Sequence, residues 1–145
     1  GMAALMMQDE LAGAISCWPV KTSVYEALCA GQQQERNIAA HDIETAAPQY
    51  FHLSEIVILP AYRHRRHTAM LVQYMLQELG TYLHNEQAIY LTAYAYSEQG
   101  ARLMQYLTMQ PLLPATATAD GQALWQLCIP NREQLNKMAR AFAVD

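Results

Sequence analysis

Residues 63–67 read Arg-His-Arg-Arg-His, and no other stretch of the sequence is so well equipped to act on an anion. Guanidinium and imidazolium groups take phosphate oxygens through charge-assisted hydrogen bonds, about twice as strong as neutral ones. The chain carries nine Lys and Arg against thirteen Asp and Glu, for a formal net charge of −4. A third of those strong cations nevertheless stand in this run, as Arg63, Arg65 and Arg66. Residues 51–59 (FHLSEIVIL) precede it, β-branched, apolar and stopped by Pro60, which predicts a central strand. After it Val72, Met75, Leu76, Leu79 and Leu83 fall on one stripe, which predicts an amphipathic helix with Gly80 as an interior fault. A helix N-terminus already carries about half a positive charge, so cations there are unfavourable until an anion arrives. With the free amides of the first turn, the run reads as a phosphate-binding loop. A solvated basic loop without a ligand is the competing reading.

Other reactive side chains carry less. His52, His64 and His67 lack HExxH or any paired-ligand spacing, and the cations around His64 and His67 repel a metal ion, so no metal is assigned. Tyr90, Tyr94 and Tyr96 alternate along one predicted strand as core-packing residues, with a hydroxyl available as an acid. Cys17, Cys29 and Cys128 are odd in number, widely spaced and without CxxC. They are expected to be buried, reduced thiols of a cytoplasmic protein, not a disulfide framework or a zinc site.

The elements that must position these residues follow from pattern. Residues 3–8 and 11–18 form a hairpin, the second strand ending at Pro19. Ser23 with Glu26 has the spacing of a capping box for a helix over 23–30 closed by Gly31. Residues 31–50 are polar and weakly patterned, and a second, irregular helix stopped by Pro48 is expected there. Residues 88–95 (AIYLTAYA) predict a second buried strand, and Ser97 caps a helix with Gly100, Leu103, Met104 and Leu107 on its apolar side. A hairpin of 112–118 and 122–129 turns at Asp120-Gly121, and Asn131 caps a last helix over 132–143. The predicted order is ββαβαβαββα in one domain, 1–145. An apolar content of 52% with 15% charged residues supports a packed core, and no apolar run is long enough to span a membrane.

The run 54–76, SEIVILPAYRHRRHTAMLVQYML, resembles the acetyl-CoA loop of the GNAT superfamily of N-acetyltransferases, E-x-x-V-x-P-x-Y-R-G-x-G-x-G/A-x-x-L. Glu55, Ile58, Pro60, Tyr62, Arg63 and Ala69 stand at matching places. The run 97–113, SEQGARLMQYLTMQPLL, is similar to the second family motif, N-x-x-A-x-x-L-Y-x-x-L-G-F, at Ser97, Gly100, Leu103 and Leu107. His64, Arg66 and Thr68 replace the three loop glycines, Met104 replaces the usual tyrosine acid, and Thr108-Met109 replaces the final Gly-Phe. The chain opens near the second family strand, so residues 21–50 or a partner subunit are expected to supply the acceptor wall.

The resemblance implies an α/β (α+β) fold: a mixed, mostly antiparallel sheet with splayed central strands and helices on both faces. It implies an N-acetyltransferase moving an acetyl group from acetyl-CoA to an amine by direct attack. Ile56, Val57 and Ile58 meet the pantetheine arm, while Arg63, His64, Arg65, Arg66, His67, Thr68, Ala69 and Ser97 hold the cofactor. Glu55 is the candidate base; Leu53, Glu55, Val57 and Leu59 share one face of a regular strand, so apolar neighbours are expected to raise its pKa. A domain that binds CoA or a partner protein without catalysis is the alternative. A nucleic-acid role is set aside, since one short cationic run on an acidic chain gives few phosphate contacts. Apolar surface left by the abbreviated wall points to a homodimer.

Overall fold

The computed structural model describes residues 2–7, 10–62, 65–83 and 87–142. Its elements follow the predicted order: β1 (Met2–Met7), β2 (Glu10–Val20), α1 (Thr22–Cys29), β3 (Tyr50–Ile58), α2 (Arg65–Gly80), β4 (Ile89–Ala95), α3 (Glu98–Tyr106), β5 (Gln110–Leu113), β6 (Ala123–Ile129) and α4 (Arg132–Ala141). The six strands form one sheet in the order β1-β2-β3-β4-β6-β5. Every neighbouring pair is antiparallel except β3–β4.

Side-chain alternation assigns the two faces. Phe51 and Leu53 on β3, Leu91 and Ala93 on β4, and Leu127 and Ile129 on β6 point into a core closed by α2, α3 and α4. The helical side is Leu71, Val72, Met75, Leu76 and Leu79 of α2, Met104 and Leu107 of α3 and its C-terminus, and Leu135 of α4 with Phe142 beyond it. On the opposite face Val24, Tyr25 and Leu28 of α1 pack on Val20, Tyr94 and Leu124. Tyr25, Tyr50 and Tyr90 stack beneath that helix, with centroids 4.6 Å and 5.6 Å apart along the row. Helices therefore cover both faces.

Several boundaries differ from expectation for identifiable reasons. Pro19 does not end β2. Its carbonyl accepts from Glu44 N (3.1 Å), so its missing N–H also faces away from β3 and costs the ladder nothing. The helix α1 begins after Lys21 with no side-chain cap, which puts Ser23 inside the first turn. Residues 31–49 form short 3-10 turns at Glu35–Asn37 and Ala40–Asp42 instead of a helix. The last hairpin uses β5 over Gln110–Leu113, with a 3-10 turn at Ala115–Ala117 where strand was expected. Gly80 is the last residue of α2, not an interior fault, and Leu83 lies beyond the helix. Cys128 is exposed, and Cys17 and Cys29 are half-buried. Burial pushes the Cys17 thiol up to about 12.

The two expected caps at the N-termini of α3 and α4 are present. Ser97 Oγ accepts from Gly100 N (3.0 Å), and Asn131 Oδ1 accepts from Gln134 N (2.9 Å). At its other end α3 closes with paired backbone bonds, Met109 N to Met104 O and Thr108 N to Gln105 O, both 2.9 Å. That closure forces Thr108 to φ 62°, a conformation that β-branched residues rarely adopt. Thr108→Gly should therefore raise stability by about 1 kcal/mol, the left-handed strain exceeding the extra chain entropy of glycine. Urea denaturation checks this; a lower midpoint would show that the threonine side chain contributes more than its backbone costs.

Candidate active site

The parallel pair at the centre of the sheet parts. Tyr50, Phe51, His52 and Leu53 pair with Tyr90, Leu91, Thr92 and Ala93, after which β3 runs on to Ile58 and β4 to Ala95 without pairing each other. The cause lies on the other edge of β3. Ser16 opposes Glu55 and Cys17 opposes Leu53, so Ser54 is an extra residue, a β-bulge that bends the strand. Its hydroxyl donates to Ser16 O (3.3 Å). Beyond the bulge β3 stays close to β2 at Gly13, where a Cβ would come within 2.5 Å of Val57 O. A cleft opens between β3 and β4 as a result. Because the two strands are parallel, the helices that follow them, α2 and α3, both start at the end where the cleft opens. Ligands of open α/β sheets bind at such a place, outside the carboxyl ends of parallel strands.

Arg66, His67, Thr68 and Ala69 form the first turn of α2, with Arg66 exposed and the other three half-buried. Arg63 and His64 lie outside the described residues, as does the Arg65 side chain. Ser97 stands at the start of α3 with its oxygen engaged as the cap. Ile56, Val57 and Ile58 lie on the part of β3 beyond its ladder with β4.

Glu55 is exposed, contrary to the apolar setting expected for it. The bulge explains this. Leu53 faces the main core, and past the extra residue Ile56 and Ile58 face it too, while Glu55 and Val57 take the other side. Leu53 and Glu55 thus do not share a face.

On that same side the segment 31–49 arches over the sheet and borders an open pocket of about 560 Å³. Its walls include Trp18 and Val20 of β2, Glu35, Ile38 and Ile43 of the arch, and His52 and Ser54 of β3. A polar chain runs along one wall. Thr92 Oγ1 lies 2.9 Å from His52 Nδ1, and His52 Nε2 lies 3.5 Å from Glu35 Oε2. Tyr96 OH donates to Glu35 Oε2 (2.6 Å) and to Asp120 Oδ2 (2.9 Å), while Asp120 Oδ1 accepts from Glu35 N (3.1 Å). Tyr94 OH donates to Gln33 O (2.7 Å). Burial, then the Asp120 and Glu35 carboxylates, push the Tyr94 hydroxyl up to about 12. Burial of its oxygen raises the Tyr96 hydroxyl, and so do the two carboxylates that accept from it. Both phenols therefore keep their protons at neutral pH.

No protein-family model and no curated protein matches the sequence. Solved structures do match. The chain superposes on the loading GNATL domain of CurA from Lyngbya majuscula with a TM-score of 0.62 at 17% identity, covering 87% of this chain and 75% of that one. For the Bacillus subtilis N-acetyltransferase YlbP, in complex with coenzyme A, the values are 0.52, 13%, 87% and 66%. For the GNAT-like decarboxylase GphF, in complex with isobutyryl-CoA, they are 0.55, 14%, 87% and 76%. The chain has the GNAT fold. It spans 66–76% of the length of these three proteins.

Within the GNAT fold the two sequence motifs fall on either side of the cleft, the first on β3 and α2, the second on α3. Met104, at the family's tyrosine position, is buried in the main core and has no proton to give. Residues 31–49, within the segment 21–50 expected as one source of an acceptor wall, arch over the face of the sheet that carries His52 and Ser54. Nothing in the sequence marks Glu35, Thr92 or Asp120, and it offers His52 only as a metal-ligand candidate. The one available signal was the alternation of Tyr94 and Tyr96 beside an arch rich in Gln and Glu. Among the described residues no three His, Cys, Asp or Glu side chains gather to hold a metal, and no helix is long and apolar enough to cross a membrane.

Proposed function

We propose that the protein transfers an acyl group, acetyl in the first instance, from a CoA thioester to an amine. The observation that supports this best is the parting of β3 from β4 after Leu53 and Ala93, with the starts of α2 and α3 at the open end. A pantetheine arm laid in that cleft runs along Ile56, Val57 and Ile58, past the end of the β3–β4 ladder, almost as an added strand. The CoA phosphates are then assigned to the cations Arg63, Arg65 and Arg66, the amides that start α2, and the neighbourhood of Ser97. The amine nitrogen attacks the thioester carbonyl, the C–N bond forms as the C–S bond breaks, and the thiolate leaves. Glu55, exposed on the cavity side of β3, takes one proton from the attacking amine. The amide nitrogen keeps its second hydrogen, and the proton held by Glu55 passes through solvent to the thiolate.

The neighbours solved with CoA or isobutyryl-CoA share the fold that builds this cleft, and one of them is a decarboxylase. The reading here is acyl transfer because the cavity beside the cleft has room for a second reactant. Two further assignments belong to the same proposal. The same reading assigns the reaction to the cytoplasm, where Cys17, Cys29 and Cys128, none of them in a disulfide, stay reduced. A second copy of the chain is placed on edge strand β1, where Met2 and Met6 are exposed beside Leu11 of β2.

The test is CoA binding by calorimetry, with Arg65 and Arg66 together replaced by Ala. With charge-assisted bonds of about 1.5–3 kcal/mol each, affinity should fall about tenfold or more while the melting temperature barely moves. Unchanged affinity with a raised melting temperature would make these arginines bystanders that repel the start of α2. Acetyl-CoA turnover against a panel of amines then separates a transferase from a protein that only binds CoA.

A further inference from the structure

We infer that the open pocket beside the 31–49 arch receives the acyl chain of the donor, which selects CoA thioesters of medium-length alkyl acids over acetyl-CoA. The inference rests on the acyl-transfer reading for the thioester and its place in the cleft, and it adds which acyl group the thioester carries. The bonds formed and broken are those already given; only the chain on the carbonyl carbon changes.

The lining suits hydrocarbon. Its apolar part is Trp18 and Val20 of β2 with Ile38, Ala39, Ala40 and Ile43 of the arch. Its charged and polar side chains, Glu35, Arg36, His52 and Ser54, are engaged with the protein itself. The His52 tautomer with its proton on Nε2 directs that proton at Glu35 Oε2, 3.5 Å away, while Nδ1 accepts from the Thr92 hydroxyl (2.9 Å). Glu35 Oε2 also accepts from Tyr96 OH (2.6 Å). Arg36 is exposed, and its Nε donates to Gln34 Oε1 (3.2 Å). Ser54 donates to Ser16 O (3.3 Å). A charged group placed among Trp18, Val20, Ile38 and Ile43 would lose water without gaining a partner. An alkyl chain has no such cost, and each methylene taken out of water there strengthens binding about three- to fourfold. At about 560 Å³ the space far exceeds an acetyl group and lies within the range of small-molecule sites.

The pocket also begins where the thioester is placed. His52 and Ser54 flank Leu53, which makes the last pair of the β3–β4 ladder with Ala93, and both line the pocket. The inner end of the cleft therefore adjoins the pocket, and a chain continuing from a thioester held there passes beneath the arch. Glu55 is exposed and stands outside the lining, so the amine reaches it from solvent. An alkyl chain under the arch does not stand in its way.

The experiment is calorimetry on the intact protein with CoA, acetyl-CoA, butyryl-CoA and hexanoyl-CoA. Affinity should rise along the acyl series, hexanoyl-CoA binding about tenfold or more tighter than acetyl-CoA. Equal or weaker binding of hexanoyl-CoA overturns the inference and leaves the acyl-transfer reading standing; absence of binding by all four ends both. Where the chain lies is read from fluorescence. Trp18 is exposed at the pocket, whereas Trp125, the other tryptophan, is buried in the main core. Hexanoyl-CoA should reduce the quenching of tryptophan by acrylamide, and acetyl-CoA should not. Ile38→Asp puts a carboxylate in the pocket and should bring the hexanoyl-to-acetyl affinity ratio close to one. Quenching unchanged by hexanoyl-CoA, or a ratio retained in Ile38→Asp, places the chain elsewhere and overturns the inference.

Discussion

Gly31→Ala is expected to cost about 3 kcal/mol, enough to lower the melting temperature by roughly 10 °C. Gly31 closes α1 through paired backbone bonds, Gln32 N to Ala27 O (2.9 Å) and Gly31 N to Leu28 O (3.0 Å), which hold it at φ +76°. A side chain in that conformation costs roughly 1 kcal/mol by itself. The larger part is steric. A Cβ at Gly31 would stand 2.1 Å from Ala117 O, a backbone atom that cannot rotate away. Gly121 separates the two contributions, because it has nearly the same φ, +72°, with nothing within 4 Å of its Cβ position. Gly121→Ala should therefore lose only about 1 kcal/mol. Equal losses in the two variants would show that the contact at Ala117 relaxes freely. The consequence reaches the site. Ala119 N donates to Gly31 O (2.6 Å), Gln34 Nε2 to Ala119 O (3.0 Å) and Glu35 N to Asp120 Oδ1 (3.1 Å), so the turn that Gly31→Ala displaces is the one that anchors Glu35. Any folded Gly31→Ala protein should show faster hydrogen exchange at the Glu35 amide, which Asp120 Oδ1 holds in the parent.

What the sequence discloses depends on how local the cause is. The order of strands and helices is carried by short-range pattern, so it is readable: the stripe of Val72, Met75, Leu76 and Leu79, the caps Ser97 and Asn131, and the C-terminal Gly31 all stand as their neighbours dictate. The Ser23–Glu26 spacing misleads because α1 starts earlier than that pair requires, at a residue with no capping side chain. Glu55 is placed on the wrong face for a different reason. A period-two reading of residues 53–59 assumes an unbroken ladder, and a bulge in the pairing with β2 depends on residues about 38 positions away. The cavity is less legible still. Glu35 is fixed by Asp120 across 85 positions, and nothing within the polar arch marks one of its side chains as the partner of a buried histidine.

Deleting Ser54 should abolish most CoA binding while leaving the fold in place. The bulge gives β3 two residues, Ser54 and Glu55, where β2 offers only Ser16. Removing one restores a regular ladder without moving any side chain to the other face, because Leu53 and Ile56 would still point to the core from either side of a single outward residue. A large loss of stability is therefore not expected. The backbone path is what changes. Without the bend, β3 can follow β4 past Leu53 and Ala93, and backbone groups proposed to meet the pantetheine arm bond to β4 instead. Affinity for CoA should drop more than tenfold, a change of about 1.4 kcal/mol or more. Ser54→Ala is the control, since it keeps the bulge and loses only the bond to Ser16 O; its CoA affinity should stay within about threefold. Amide exchange reports the structural half of the claim. Amides of Ile56, Val57 and Ile58 that face β4 should become protected in the deletion variant, and only there. A deletion variant that gains this protection and still binds CoA as tightly as the parent would place the cofactor outside the β3–β4 cleft.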